Sequence, residues 1–174
     1  MSGAMRAAST NKLLVREAVR LFGPNDYSEA DLKLPLYNGD DEDATGVPKG
    51  VEVLASQIAA ADAVIISTPE YNKGPSGALK NALDWVSRTN GNPWVDKPVA
   101  VMSAAAGMSG GVRAQVIFRT YMLPFRARVV AAPEVHLGES SNQFDENGQL
   151  TNKSAAKALT ELMQNLAKEI ELLR

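Results

Sequence analysis

Two short runs of this chain are apolar at nearly every position: Ala63-Val-Ile-Ile-Ser-Thr68 and Pro98-Val-Ala-Val-Met-Ser103. Such runs predict strands covered on both faces. Around them, apolar residues recur at helical spacing. Leu14, Ala18, Leu21 and Phe22 predict a helix over 11–22, stopped by Gly23-Pro24. Val51, Leu54, Ala55, Ile58 and Ala59 predict a second. Leu79, Ala82, Leu83 and Val86 predict a third over 77–88, broken by Asn90-Gly-Asn-Pro93. Ala114, Ile117, Phe118, Tyr121 and Met122 mark a fourth, and a last helix runs from about 154 with Leu159, Leu162, Leu166, Ile170 and Leu173 on one face. Asp31-Leu-Lys-Leu34 reads as a weak strand, and 128–131 and 135–137 as extended. The acidic run 39–46 predicts a solvated loop, and 139–152 a polar excursion with an Asn147-Gly148 turn. Strands alternating with helices imply an α/β chain with a mostly parallel sheet between two helical layers.

One element is missing from this pattern. Such a fold opens on a buried strand, yet the first helix begins almost at the terminus. Met1 to Asn11 has the character of the loop that normally follows that strand, so either an apolar strand precedes Ser2 in the natural protein, which is the favoured expectation, or this chain is a real truncation with an impaired site.

The 174 residues suit a single domain, 1–174, with one core. A net charge of -2 favours neither nucleic acid nor an anionic membrane as partner. With no cysteine, disulfides, thiol redox chemistry and Cys-held zinc or iron–sulfur clusters are excluded. The single histidine, His136, cannot build a multi-histidine metal site within one chain. No apolar run approaches the roughly 20 residues of a membrane span, and no signal peptide is visible. A cytoplasmic protein is the default expectation.

Three polar loops carry the candidate chemistry. Ser2-Gly-Ala-Met-Arg-Ala-Ala-Ser-Thr-Asn11 offers one fixed positive charge, hydroxyls, an amide and the free N–H groups of a helix start. That set makes a phosphate cradle. Taken alone, the segment reads more simply as an ordinary capped helix start. Pro69-Glu-Tyr-Asn-Lys-Gly-Pro75 lies just past the carboxyl end of a strand, where open α/β sheets bind ligands, and its ring, amide and acid suit a planar polar ligand. Ser103-Ala-Ala-Ala-Gly-Met-Ser-Gly-Gly111 is built of small residues that let a backbone approach a flat ligand.

In this order the loops resemble those of the NADPH-dependent FMN reductase family of flavodoxin-like proteins, which includes quinone, azo-dye and chromate reductases. Pro69-Glu-Tyr-Asn72 followed by Gly77-Ala-Leu-Lys-Asn-Ala-Leu-Asp-Trp85 carries most of the likeness. Ser2, Gly3, Arg6, Ser9 and Asn11 match the family's first-loop pattern, which Ala4 and Met5 depart from. Phe144-Asp-Glu-Asn-Gly-Gln-Leu150 matches a further segment. The resemblance implies a flavodoxin-like three-layer sandwich with sheet order 2-1-3-4-5, strand 1 being the absent one. It implies FMN as cofactor and NADPH or NADH as cosubstrate. Ser2, Arg6, Ser9 and Asn11 would hold the phosphate. Pro69, Glu70, Tyr71 and Asn72 would flank the isoalloxazine ring, and Ser103 and Gly107 would contact its far edge. The acceptor would be a small molecule such as a quinone, azo compound, ferric chelate or chromate. No side chain need be catalytic, because the cofactor carries the chemistry.

Other readings compete. Gly107-Met-Ser-Gly-Gly111 fits the G-x-S-x-G of a hydrolase elbow, with Ser109 as nucleophile and His136 as base. Glu134, two residues from His136, leaves poor room to orient the imidazole. His136 then reads as a strand residue without catalytic duty. A flavodoxin-type electron carrier or flavin-binding interaction protein is the non-enzyme alternative. Trp85 and Tyr121 read as core or interface aromatics, and Trp94, beside Pro93, as an exposed or interface aromatic. With the resemblance, they point to a homodimer or homotetramer, with Glu70 and Tyr71 near the subunit contact.

Overall fold

The structure, a computed structural model, describes residues 1–174. The elements follow as α1 (Thr10–Phe22), α2 (Gly39–Thr45), α3 (Lys49–Ala60), β1 (Val64–Thr68), α4 (Gly77–Val86), β2 (Pro98–Ala104), α5 (Val112–Tyr121), β3 (Arg128–Val129), β4 (Val135–Leu137) and α6 (Lys153–Glu171). β2 is the centre and is buried at every position. β1 lies parallel to it on one edge, with Val64 opposite Val99 and Thr68 opposite Ser103. β3 and β4 follow one another along its other edge, also parallel, with His136 opposite Ser103.

Alternation along β2 separates two cores. Val99 and Val101 face Leu54 and Ile58 of α3, Leu79 and Leu83 of α4 and Phe118 of α5. Ala100 and Met102 face Leu14 and Ala18 of α1 and Leu159, Leu162 and Leu166 of α6. Both faces of the strand are apolar because both are covered, and parallel strands pair only through such helical crossovers.

Residues 1–3 pair with the edge of β1 as a short stub. Gly3 N–H donates to Ser67 O at 2.8 Å and Ser67 N–H to Met1 O at 3.0 Å. The Met1 amine donates to Ile65 O at 2.6 Å. Upstream of Met1, this edge of β1 borders a cavity of about 600 Å³, lined by Phe22, Leu54, Ile58, Ile65 and Leu166 among others. This cavity lies along the open edge of β1, away from the polar loops.

The sheet order observed is stub, β1, β2, then β3 and β4, which agrees with 1-3-4-5 of the expected series. The outermost member does not form. Residues 31–34 make no ladder, although Leu32 is buried against the first core. A strand needs a neighbour, and its neighbour here is the stub.

Two further expectations change. Residues 39–45 are exposed as expected but helical rather than looped. Asn38 accepts the Asp40 N–H, and Asp40, Asp41 and Glu42 occupy the first turn, where the helix N-terminus favours negative charge. Trp94 is buried rather than exposed, edge-on to Phe125, and Trp85 is buried too. The indole of Trp85 donates to Pro35 O at 2.8 Å, fixing the loop before α2. Neither tryptophan is therefore free to face another subunit.

Candidate functional site

The three loops meet at the carboxyl ends of β1 and β2. The first presses on the second at Gly3, where a Cβ would sit 2.8 Å from Pro69 Cδ. Only glycine fits that approach. The first and third are joined through Asn11. Its Nδ2 donates to Ala104 O at 2.9 Å, while its Oδ1 accepts the Ser67 hydroxyl at 2.7 Å and the Ala104 N–H at 3.2 Å. The second and third are joined by Glu70. Its Oε2 accepts the N–H groups of Arg113 and Ala114, at 3.1 and 3.2 Å. Residue 111, at the N-cap of α5, is a glycine with no side chain to offer, so Glu70 caps the helix from outside.

Several of the expected binding residues thus turn inward. Asn11 is 3% exposed and makes three internal hydrogen bonds, tying the loops together. Ser9 is the N-cap of α1, its Oγ accepting the Asn11 N–H at 3.2 Å. Ser2 bends to its own loop, with Oγ 3.3 Å from Ala4 N and O. Ser103 is fully buried, its Oγ between Gln115 Nε2 at 3.2 Å and His136 Nδ1 at 3.3 Å. Pro69 is buried at the strand end, against Gly3.

Others open to solvent. Arg6 is exposed and belongs to no ion pair or hydrogen bond in the structure, and the first turn of α1 beside it in the chain carries no acid. Tyr71 is 55% exposed. It closes a tight turn with Gly74, through bonds of 2.9 and 3.0 Å, with Asn72 and Lys73 at positive φ. Gly107 is exposed, and a Cβ there would meet nothing within 4 Å. A free cation, an exposed ring and an open small-residue wall thus face solvent on loops that converge, beside a helix start without acids.

The hydrolase geometry is absent. Ser109 is exposed and makes no hydrogen bond to His136. The imidazole is nevertheless oriented, against expectation. Its Nε2 lies 3.1 Å from Glu134 Oε2, because residues two apart in a strand share a face. Its Nδ1 faces Ser103, whose hydroxyl has no access to a substrate, and Gln115 at 3.0 Å. Sequence reasoning missed Gln115, a fully buried amide on α5. Its only signal was a polar residue beside the apolar stripe. Arg119, one turn further on, donates to Val130 O at 2.8 Å and lies 4.0 Å from Glu134 Oε1. Burial holds this guanidinium below the usual arginine range.

The sequence profile of the NADPH-dependent FMN reductase family matches residues 1–142. An NAD(P)H-dependent FMN reductase of Pseudomonas aeruginosa is 38% identical over 176 aligned residues, covering 100% of this chain and 95% of that protein. A quinone reductase of Escherichia coli is 35% identical, covering 91% of this chain and 86% of that one. Among solved structures, FerB, a flavoenzyme NAD(P)H:(acceptor) oxidoreductase of Paracoccus denitrificans, superposes with a TM-score of 0.89 at 31% identity. The match covers 99% of this chain and 95% of FerB.

Proposed function

Because the chain belongs to the NADPH-dependent FMN reductase family, we propose that FMN lies across its three loops and that two electrons pass from NAD(P)H to a quinone or similar acceptor. The observation that carries this reading is the unpaired Arg6 in the loop leading to the N-terminus of α1, set among loops that also present Tyr71 and the open wall at Gly107.

The residues fit the cofactor. Arg6 and the free N–H groups of the first loop suit a terminal phosphate dianion. Tyr71 and Asn72 suit the isoalloxazine ring, and Gly107 leaves space at its far edge. Ser2, Ser9, Asn11, Pro69, Glu70 and Ser103 act one step back, holding these loops in mutual register. When bound, FMN supplies the hydride chemistry that no side chain here can. What the protein contributes is the orientation of the ring and the exclusion of competing groups.

Anaerobic mixing with NADPH should bleach bound flavin in one step, and a quinone should restore it. Flavin left oxidised by both NADPH and NADH would favour the carrier reading instead. Arg6→Ala should weaken FMN by about 2 kcal/mol, or about thirtyfold, through loss of a charge-assisted contact. Riboflavin, which has no phosphate, should bind both forms alike in a fluorescence-quenching titration. An equal loss for riboflavin would remove Arg6 from the phosphate site.

We also infer a cytoplasmic homodimer. No helix is long and apolar enough to cross a membrane, and NAD(P)H is regenerated in the cytoplasm. With both tryptophans internal, support for self-association moves to α5, where Val112 and Val116 lie one turn apart and are 36% and 51% exposed. Light scattering should give about twice the 18.6 kDa chain mass. Val116→Glu should return it to one chain.

A further inference from the structure

Beneath the third loop lies a closed polar network that binding and hydride transfer leave unexplained. Gln115 Nε2 lies within hydrogen-bond distance of three acceptors: Val135 O at 3.1 Å, Ser103 Oγ at 3.2 Å and His136 Nδ1 at 3.0 Å. An amide nitrogen has only two hydrogens. One points at Val135 O, which also sits in the β2–β4 ladder. The other goes to Ser103 Oγ, and the Ser103 hydroxyl then donates to Nδ1 across 3.3 Å. At the far side, Nε2 must be the donor, because the Glu134 carboxylate only accepts. This bookkeeping fixes one tautomer of neutral His136, with hydrogen on Nε2 and an acceptor at Nδ1.

A proton arriving at Nδ1 reverses one bond in the chain. Nδ1–H then donates to Ser103 Oγ, and the Ser103 hydrogen must turn elsewhere. Ser103 Oγ lies 3.3 Å from the Cβ position of Gly111, and Glu70 Cβ lies 3.5 Å from that same point. The hydroxyl therefore sits at the corner where the second and third loops meet. The third loop is also clamped to the histidine's own backbone. A Cβ on Gly110, at φ 61, would come within 2.6 Å of His136 C, and Glu139 N–H and Ser140 N–H return to Gly107 O and Ala105 O at 3.3 and 3.1 Å. The loop has little slack to absorb a change at His136 without moving.

On these contacts, and given FMN in the proposed site, we propose that His136 is a positioning residue whose proton is linked to the redox state of the flavin, through Ser103 and the third loop. The charges balance. A hydride leaves NAD(P)H, which becomes NAD(P)+, and the site gains one negative charge. One proton from solvent binds His136 Nδ1 and offsets it. When the acceptor takes the electrons, that proton returns to solvent. The charged and titratable groups around the imidazole are Glu134, just before β4 and bonded to Nε2, and Arg119 on α5, which faces Glu134. Glu70, on the second loop, is bonded to the start of α5. Gln115 and Ser103 are neutral.

The chain has one histidine, so its imidazole gives a single unambiguous NMR signal. That signal is titrated against pH in the FMN-loaded protein, oxidised and then reduced anaerobically with dithionite. The proton affinity of His136 should rise about tenfold on reduction, within the usual range of coupling between sites. By reciprocity, the midpoint potential of bound FMN below the His136 titration should lie about 30 mV above the line set by the flavin's own uptake of one proton, a step that is tenfold for a two-electron couple. His136→Gln keeps an acceptor toward Gln115 and a donor toward Glu134 but cannot titrate. It should fold, bind FMN and lose that step in potential, whereas a merely structural histidine would leave the step in place. Identical titrations in the two redox states overturn the proposal while leaving the cofactor assignment intact. Failure of FMN to quench on binding overturns both.

Discussion

Acetylating the amino terminus should flatten the pH dependence of stability between pH 5 and 8. The Met1 amine is buried at the end of the strand stub and donates to Ile65 O, in the place of a ladder N–H. Desolvation lowers its pKa from 8.0 to about 5, with Glu29 pulling weakly the other way. Between these values the unfolded chain holds a proton that the folded chain does not. Stability therefore rises with pH through this window, and the contribution is lost as pH falls toward 5. From pH 8 to pH 5.5 the loss is about 3 kcal/mol, at 1.36 kcal/mol for each pKa unit. An acetyl group cannot take up a proton. The 600 Å³ cavity beyond has room for the acetyl group. Urea unfolding of the free and acetylated forms at pH 8 and pH 5.5 tests this. The acetylated protein should lose about 3 kcal/mol less on acidification, and parallel losses would show that the amine escapes to water.

The elements most legible in the sequence are those whose signal is local. β1 and β2 announce themselves as unbroken apolar runs, and α1, α3, α4 and α6 as apolar stripes, each found to within a few residues. The elements misread depend on partners. Residues 31–34 alternate like a strand, but no ladder neighbour reaches them. Residues 39–45 have no apolar period at all. They are held as a helix by the Asn38 cap, their first-turn acids and a fork from Arg88 to Glu42 at 2.9 and 3.0 Å. Trp94 follows a proline and looks like a turn aromatic, but only the fold brings Phe125 against it. The site divides the same way. Its loops are legible because their residue types are unusual. The duties of Asn11, Glu70 and Ser103 are not, because a polar residue that meets a ligand and one that braces a loop look alike in one dimension. Gln115 and His136 become a network only when β4 and α5 are laid against β2.

Asn11 is where that distinction has the largest expected consequence. Asn11→Ala removes the partner of the Ser67 hydroxyl and of both the N–H and C=O of Ala104. Ser67 and Ala104 are 0% and 1% exposed, so water reaches them only through the space the side chain vacates. One buried polar group left unpaired costs about 1–3 kcal/mol, so three, partly rescued by such water, should cost about 4 kcal/mol. For a chain of this length that lowers Tm by about 10 °C. Asn11→Asp should do no better. It keeps two acceptor contacts but sets a carboxylate oxygen against Ala104 O and buries a charge. Because the clamp joins the first loop to the ends of both strands, its loss should loosen the whole site. FMN and riboflavin should then weaken together, unlike the phosphate-selective loss expected for Arg6→Ala. Calorimetry and paired flavin titrations of Asn11→Ala decide between the two roles. An unchanged Tm with a loss confined to FMN would make Asn11 a phosphate ligand after all, and the hydrogen bonds to Ser67 and Ala104 incidental.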